Sequence, residues 1–89
     1  MTRTKVTIAW RDGLHLRRAT ELVRLAQNFS SRICFHVGSR MADGRSVLSL
    51  LLLSAGLGTA LVIEAAGADE TEALRAIQDF FRDRNAGLP

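Results

Sequence analysis

The sequence predicts an α+β fold, a four-stranded antiparallel sheet with three helices on one of its faces. Two observations carry this. Four short stretches alternate apolar and polar residues with period two, and three others carry the apolar spacing or the capping residues of helices. Taken in order they read β-α-β-β-α-β-α, one domain over residues 1–89 with no repeat, linker or low-complexity segment.

The first strand is read at Lys5–Trp10, where Val6, Ile8 and Trp10 share one face and Lys5, Thr7 and Ala9 the other. Arg11-Asp12-Gly13 then forms a turn in which Gly13 is free to take a positive φ. From Leu16 to Gln27 the period changes, and Ala19, Leu22, Val23 and Ala26 form the stripe of an amphipathic helix. Thr20, Glu21, Arg24 and Gln27 lie outside that stripe. Asn28 to Ser31 closes the helix, with Phe29 folding back into the core.

Arg32–Val37 alternates again, with Ile33, Phe35 and Val37 inward. Gly38-Ser39 is a two-residue hairpin connection into a third strand at Arg40–Asp43. Val47–Leu53 is apolar nearly all round and fits either a buried strand or a short helix. Ser46 as N-cap and Gly56 beyond the end favour the helix. Thr59–Ala66 is the fourth strand, with Leu61, Ile63 and Ala65 inward. Asp69 and Glu72 are spaced as a capping box, and Ala73, Leu74, Ile77, Phe80 and Phe81 continue as a helical stripe to about Arg84. Asn85 to Pro89 reads as a frayed tail.

Composition narrows the function classes. With 47% hydrophobic residues the chain can bury a core, which argues against disorder. The net charge of +3 favours anionic partners, but the basic residues are scattered along the chain. Without tyrosine, and without an outward aromatic platform on the strands, nucleic acid is the minority expectation. Cys34 is the lone cysteine, and with His36 it makes only a pair on an outer strand face. No disulfide, metal or cofactor is expected. The N-terminal segment lacks the apolar core of a signal peptide, and Leu50 to Leu53 is too short a run to span a bilayer. The expectation is a cytoplasmic protein without a membrane partner.

Chemistry concentrates in Gly13-Leu14-His15-Leu16-Arg17-Arg18, where the first strand gives way to the first helix. The free amides of a first helical turn point outward, and the helix dipole adds partial positive charge there. A phosphate is well accommodated at such an end. A histidine must be neutral to attack phosphorus, and its ordinary pKa of about 6.5 leaves much of it so at neutral pH. His15 is therefore read as the phosphoryl acceptor and Arg17 as the cation that answers phosphoryl oxygens.

These residues, together with Gly44-Arg45-Ser46 before a short apolar helix, Gly58-Thr59, and Gly67-x-Asp69-Glu70 after a strand, resemble the HPr phosphocarriers. That family belongs to the bacterial phosphoenolpyruvate-dependent sugar phosphotransferase system, and the resemblance runs over almost the whole chain. It implies an open-faced β-sandwich with sheet order 1-4-2-3 and a monomer that is a substrate of phosphotransferases, not an enzyme. It further implies that His15 takes a phosphoryl group at Nδ1 from enzyme I and passes it to IIA domains. Ser46 matches the family's regulatory serine, the target of an HPr kinase/phosphorylase, so a regulator controlled at Ser46 is the alternative reading. Val47, Leu48 and Leu51 match the partner-docking residues, while Leu50 and Leu53 are core candidates.

The chain departs from the family where His-Ala-Arg-Pro becomes His15-Leu16-Arg17-Arg18. Arg18 sets a cation at the positive end of a helix dipole, unfavourable by about 0.3–1 kcal/mol unless an anion answers it. Leu16 adds bulk beside the imidazole. Both changes bear on partner choice, and Leu16 and Arg18 join the candidate partner-binding residues.

Overall fold

Alternation decides which side of a strand is apolar, but pairing decides which strands are neighbours. The computed structural model describes residues 1–82. In chain order it contains strand β1 (Thr2–Thr7), helix α1 (Leu16–Ala26), strands β2 (Arg32–Val37) and β3 (Arg40–Asp43), helix α2 (Val47–Leu52), strand β4 (Ala60–Ala66) and helix α3 (Glu70–Arg82). The four strands form one antiparallel sheet in the order β1-β4-β2-β3, so the last strand in sequence lies between the first two. The expected α+β class and strand order are both present. The tail at Asn85 to Pro89 and the helix end at Arg84 lie outside the described residues.

The register puts apolar residues opposite one another on one face. Val6 pairs with Leu61, and Phe35 with both Ile63 and Ala42. Leu61, Ile63, Ala65 and Phe35 are fully buried there against Ala19, Leu22, Ala26, Leu50, Ala73 and Ile77 from the three helices. Burying one such leucine or isoleucine contributes about 1.5–3 kcal/mol, so this single face dominates the fold's stability. The opposite face is open. It carries Arg3, Cys34, His36, Met41 and Glu64, with Arg3 paired to Glu64 across β1 and β4.

Three boundaries differ from the sequence reading. The first strand was expected at Lys5–Trp10, but its ladder runs from Thr2 to Thr7. Beyond Ile8, which still bonds to Gly58 and Thr59, the segment leading into β4 turns away at Gly58 with φ +84°. Ile8 and Trp10 nevertheless keep their predicted inward facing and are buried.

The short helix was expected over Val47–Leu53 with Gly56 past its end, and it runs Val47–Leu52 with Leu53 as its C-cap. Ser54 takes the left-handed conformation, φ +54°, while its N–H donates to the Leu51 carbonyl at 3.1 Å. The last turn tightens by such i→i+3 bonds, so the reversal falls two residues earlier.

The capping box pairing Asp69 with Glu72 is replaced by two other contacts. The Asp69 carboxylate accepts the N–H groups of Ser30 and Ser31, each at 2.9 Å, and the Ser31 hydroxyl. Glu70 accepts the Gly67 N–H at 3.0 Å. Tertiary packing brings the α1–β2 loop to Asp69 and offers it more donors than its own helix start could. Those donors, the Ser31 hydroxyl first, hold the Asp69 carboxyl down to about 2 from an ordinary 3.8.

Candidate functional site

The site begins with a glycine. Gly13 sits at φ +68°, and a Cβ there would lie 2.5 Å from the Ala55 carbonyl oxygen and 2.8 Å from the Gly56 Cα. Only glycine lets the turn after β1 approach the turn after α2 so closely. The approach is fastened by the Leu14 N–H, which donates to the Ala55 carbonyl at 2.8 Å, and by the buried Leu14 side chain. Gly13 N–H closes the turn onto the Trp10 carbonyl at 3.0 Å.

His15 follows this anchored segment as the N-cap of α1, extended at φ −93° and ψ −179°. Its carbonyl accepts the Ala19 N–H at 2.8 Å, the first bond of the helix. The amides of Leu16, Arg17 and Arg18 precede that bond and have no carbonyl acceptor within the helix. The His15 side chain is exposed and makes no capping hydrogen bond, and the first turn holds no acidic residue. An uncommitted imidazole thus stands beside three outward amides at the positive end of an eleven-residue helix.

The two arginines behave differently. Arg17 is exposed in the same turn. Arg18 lies with its guanidinium carbon 4.2 Å from the Trp10 ring centroid, a cation–π contact that the sequence reading did not foresee. Trp10 is itself stacked on Phe81 at 5.1 Å and meets the edge of Phe80 at 5.4 Å. Its partners come from the far end of the chain, so no local pattern could have disclosed them.

Ser46 caps α2, its Oγ accepting the Ser49 N–H at 3.2 Å. The turn before it is held by Asp43, whose carboxylate accepts the Arg45 N–H at 3.0 Å, and by the Arg45 guanidinium donating to the Phe29 carbonyl at 2.7 Å. Along α2, Leu48 and Leu52 stand exposed one turn apart, at 66% and 67%. Val47 and Leu51 are half-buried against the core, and Leu50 and Leu53 are within it. Leu52 was missed, although its spacing of four from Leu48 was visible in the sequence. Leu16 is exposed next to His15, and Leu57 is exposed in the loop that abuts Gly13. α2 packs against α1, the helix that His15 caps.

The open face of the sheet offers weaker chemistry. Burial and the nearby Glu64 push the Cys34 thiol up, away from the reactive thiolate. Among the described residues no group of three histidine, cysteine or acidic side chains could hold a metal ion. No helix there is long and apolar enough to cross a membrane.

Fold and site together define a small open-faced α+β protein with an exposed histidine at a helix N-terminus. Residues 2–83 match the family model described as the PTS HPr component phosphorylation site, and the chain belongs to that HPr family. It is 33% identical over 84 residues to phosphocarrier protein HPr from Cupriavidus necator, covering 94% of each chain. It is 41% identical over 73 residues to phosphocarrier protein NPr from Shewanella violacea, covering 82% of this chain and 80% of that one. The crystal structure of HPr-C-His from Thermoanaerobacter tengcongensis superposes with a TM-score of 0.93 at 27% identity, over all of both chains. HPr proteins are phosphocarriers of the phosphotransferase system and not catalytic enzymes.

Proposed function

We propose that this chain carries a phosphoryl group on His15, taken from the phosphohistidine of enzyme I and delivered to IIA-type acceptors. The observation that carries the reading is the exposed His15 ring, free of capping duty and set beside three first-turn amides in a turn without acidic residues. In the transfer, a lone pair of the neutral imidazole attacks phosphorus as the donor's N–P bond breaks. His15 sheds a ring proton to solvent and the departing imidazole recovers one, so charge and atoms balance. The amides and Arg17 meet the charge spread over the equatorial oxygens. Because the same groups hold the product, their pull must stay moderate for the phosphoryl to leave again.

In this reading the protein works in the cytoplasm as a monomer and docks its partners through Leu16, Leu48, Leu52 and Leu57 around the imidazole. The likeness to an NPr carrier as well as to HPr widens the candidate donors to the enzyme I of a nitrogen phosphotransferase branch. Incubation with labelled phosphoenolpyruvate and each type of enzyme I is the test. Acid-labile label in the wild type, absent in His15→Ala, supports the carrier. An ATP-dependent HPr kinase/phosphorylase added alone tests the alternative: acid-stable label lost only in Ser46→Ala, with no label at His15 from either donor, would replace the carrier reading by regulation at Ser46.

A further inference from the structure

Arg18 stands third in α1, where the helix dipole repels a cation, and yet its guanidinium is not turned out to solvent. It rests 4.2 Å above the Trp10 centroid. Phe81 stacks on the same indole at 5.1 Å and 19°, which occupies one face and leaves the other to the guanidinium. Phe80 braces the ring edge. The Arg18 Nη1 is buried there with no hydrogen-bond partner. The platform is continuous with the site, because the Trp10 carbonyl accepts the Gly13 N–H and the Gly13 carbonyl accepts the His15 N–H, both at 3.0 Å. His15 and Arg18 are also the N-cap and the third residue of α1, the two positions that meet across a capping box.

We infer that Arg18, held on the Trp10 face, is a positioning residue that fixes a positive charge beside His15 and stabilises its phosphorylated form over its free form. This rests on His15 being the phosphoryl acceptor. Arg18 makes and breaks no bond; it supplies a charge whose effect grows when the dianion arrives. A flexible lysine or arginine reaching into water would be screened and would lose side-chain entropy on engaging the phosphoryl. A guanidinium already laid flat on an indole avoids most of that loss. An acidic partner surface would be the other anion able to answer Arg18, but the burial of Nη1 against the ring favours a charge acting within its own chain.

A partition experiment separates the two, because a catalyst changes rates and leaves an equilibrium where it is. Equal amounts of wild type and Arg18→Gln are mixed with a trace of enzyme I and limiting phosphoenolpyruvate. After equilibration the phosphorylated fraction of each is read by mass spectrometry at neutral pH. The wild type is expected to hold about threefold more phosphoryl group, the order of effect of one nearby charge in a largely aqueous setting. Arg18→Lys, which keeps the charge but not the flat guanidinium, should partition between the wild type and Arg18→Gln. Trp10→Leu, which stays apolar but offers no π face, should lose most of the advantage in protein shown by its circular dichroism to be folded. Equal partition of wild type and Arg18→Gln, with His15 labelled in both, overturns the inference and leaves the carrier reading standing. Equal partition with slower labelling of Arg18→Gln would assign Arg18 to the partner interface instead. Absence of label at His15 in the wild type would overturn the carrier reading itself, and this inference with it.

Discussion

Replacing Gly13 by alanine tests whether the turn beneath His15 depends on close packing or only on backbone conformation. Two costs add. The left-handed φ of +68° costs an alanine roughly 1–2 kcal/mol. The new methyl would also lie 2.5 Å from a backbone oxygen, so the Ala55–Gly56 segment must move. That movement loosens the 2.8 Å bond from Leu14 to Ala55, worth about 1 kcal/mol, and disturbs the buried Leu14. The expected loss is about 3 kcal/mol.

Gly38→Ala is the internal control. Gly38 has a similar φ of +60°, but a methyl added there would meet nothing within 4 Å, so only the conformational cost of roughly 1–2 kcal/mol applies. Urea unfolding of both variants, followed through the emission of Trp10, the one tryptophan, measures the difference. Gly13→Ala should also accept phosphoryl groups more slowly, since the helix start that carries His15 is displaced. Equal destabilisation of the two variants would refute the argument that close approach of the two turns builds the site.

Exposed and buried leucines of α2 should part company. Leu48→Ser and Leu52→Ser should alter stability by no more than about 0.5 kcal/mol while raising the KM for enzyme I, as steady-state transfer assays would show. Leu50→Ala, in the fully buried position, should instead cost about 2–5 kcal/mol in denaturant titration. The Asp69 latch sets an acid limit. A carboxyl held at about 2 stabilises the fold fully above its unfolded value near 4, and the gain is lost as pH falls through about 2. Stability measured across that window should show Asp69→Asn weaker than wild type near neutrality and converging with it below about pH 2; a gap constant with pH would contradict the linkage.

Much of this site was legible because it is local. An N-cap, its preceding glycine and the first-turn amides fall within a few consecutive residues, so Gly13, His15 and the start of α1 could be placed from spacing alone. The α1 stripe of Ala19, Leu22, Val23 and Ala26 is buried as its period required. Leu48 and Leu51 show where that logic stops. Both belong to an almost wholly apolar segment, and nothing in its pattern says that Leu48 faces outward while Leu51 packs on the core. That is decided by what α2 is laid against.

By itself, then, the sequence determined the kind and order of the elements, the apolar side of each strand, and the residue types gathered at one helix start. Those properties follow from backbone periodicity and steric preference, which act over a handful of residues. The tertiary structure alone decided that Gly13 meets Ala55, that Asp69 holds the Ser30–Ser31 loop, and that Trp10 lies between Phe81 and Arg18. Each of these joins segments far apart in the chain. Contacts of that kind are selected by how a whole core closes, and no stretch of sequence carries them alone.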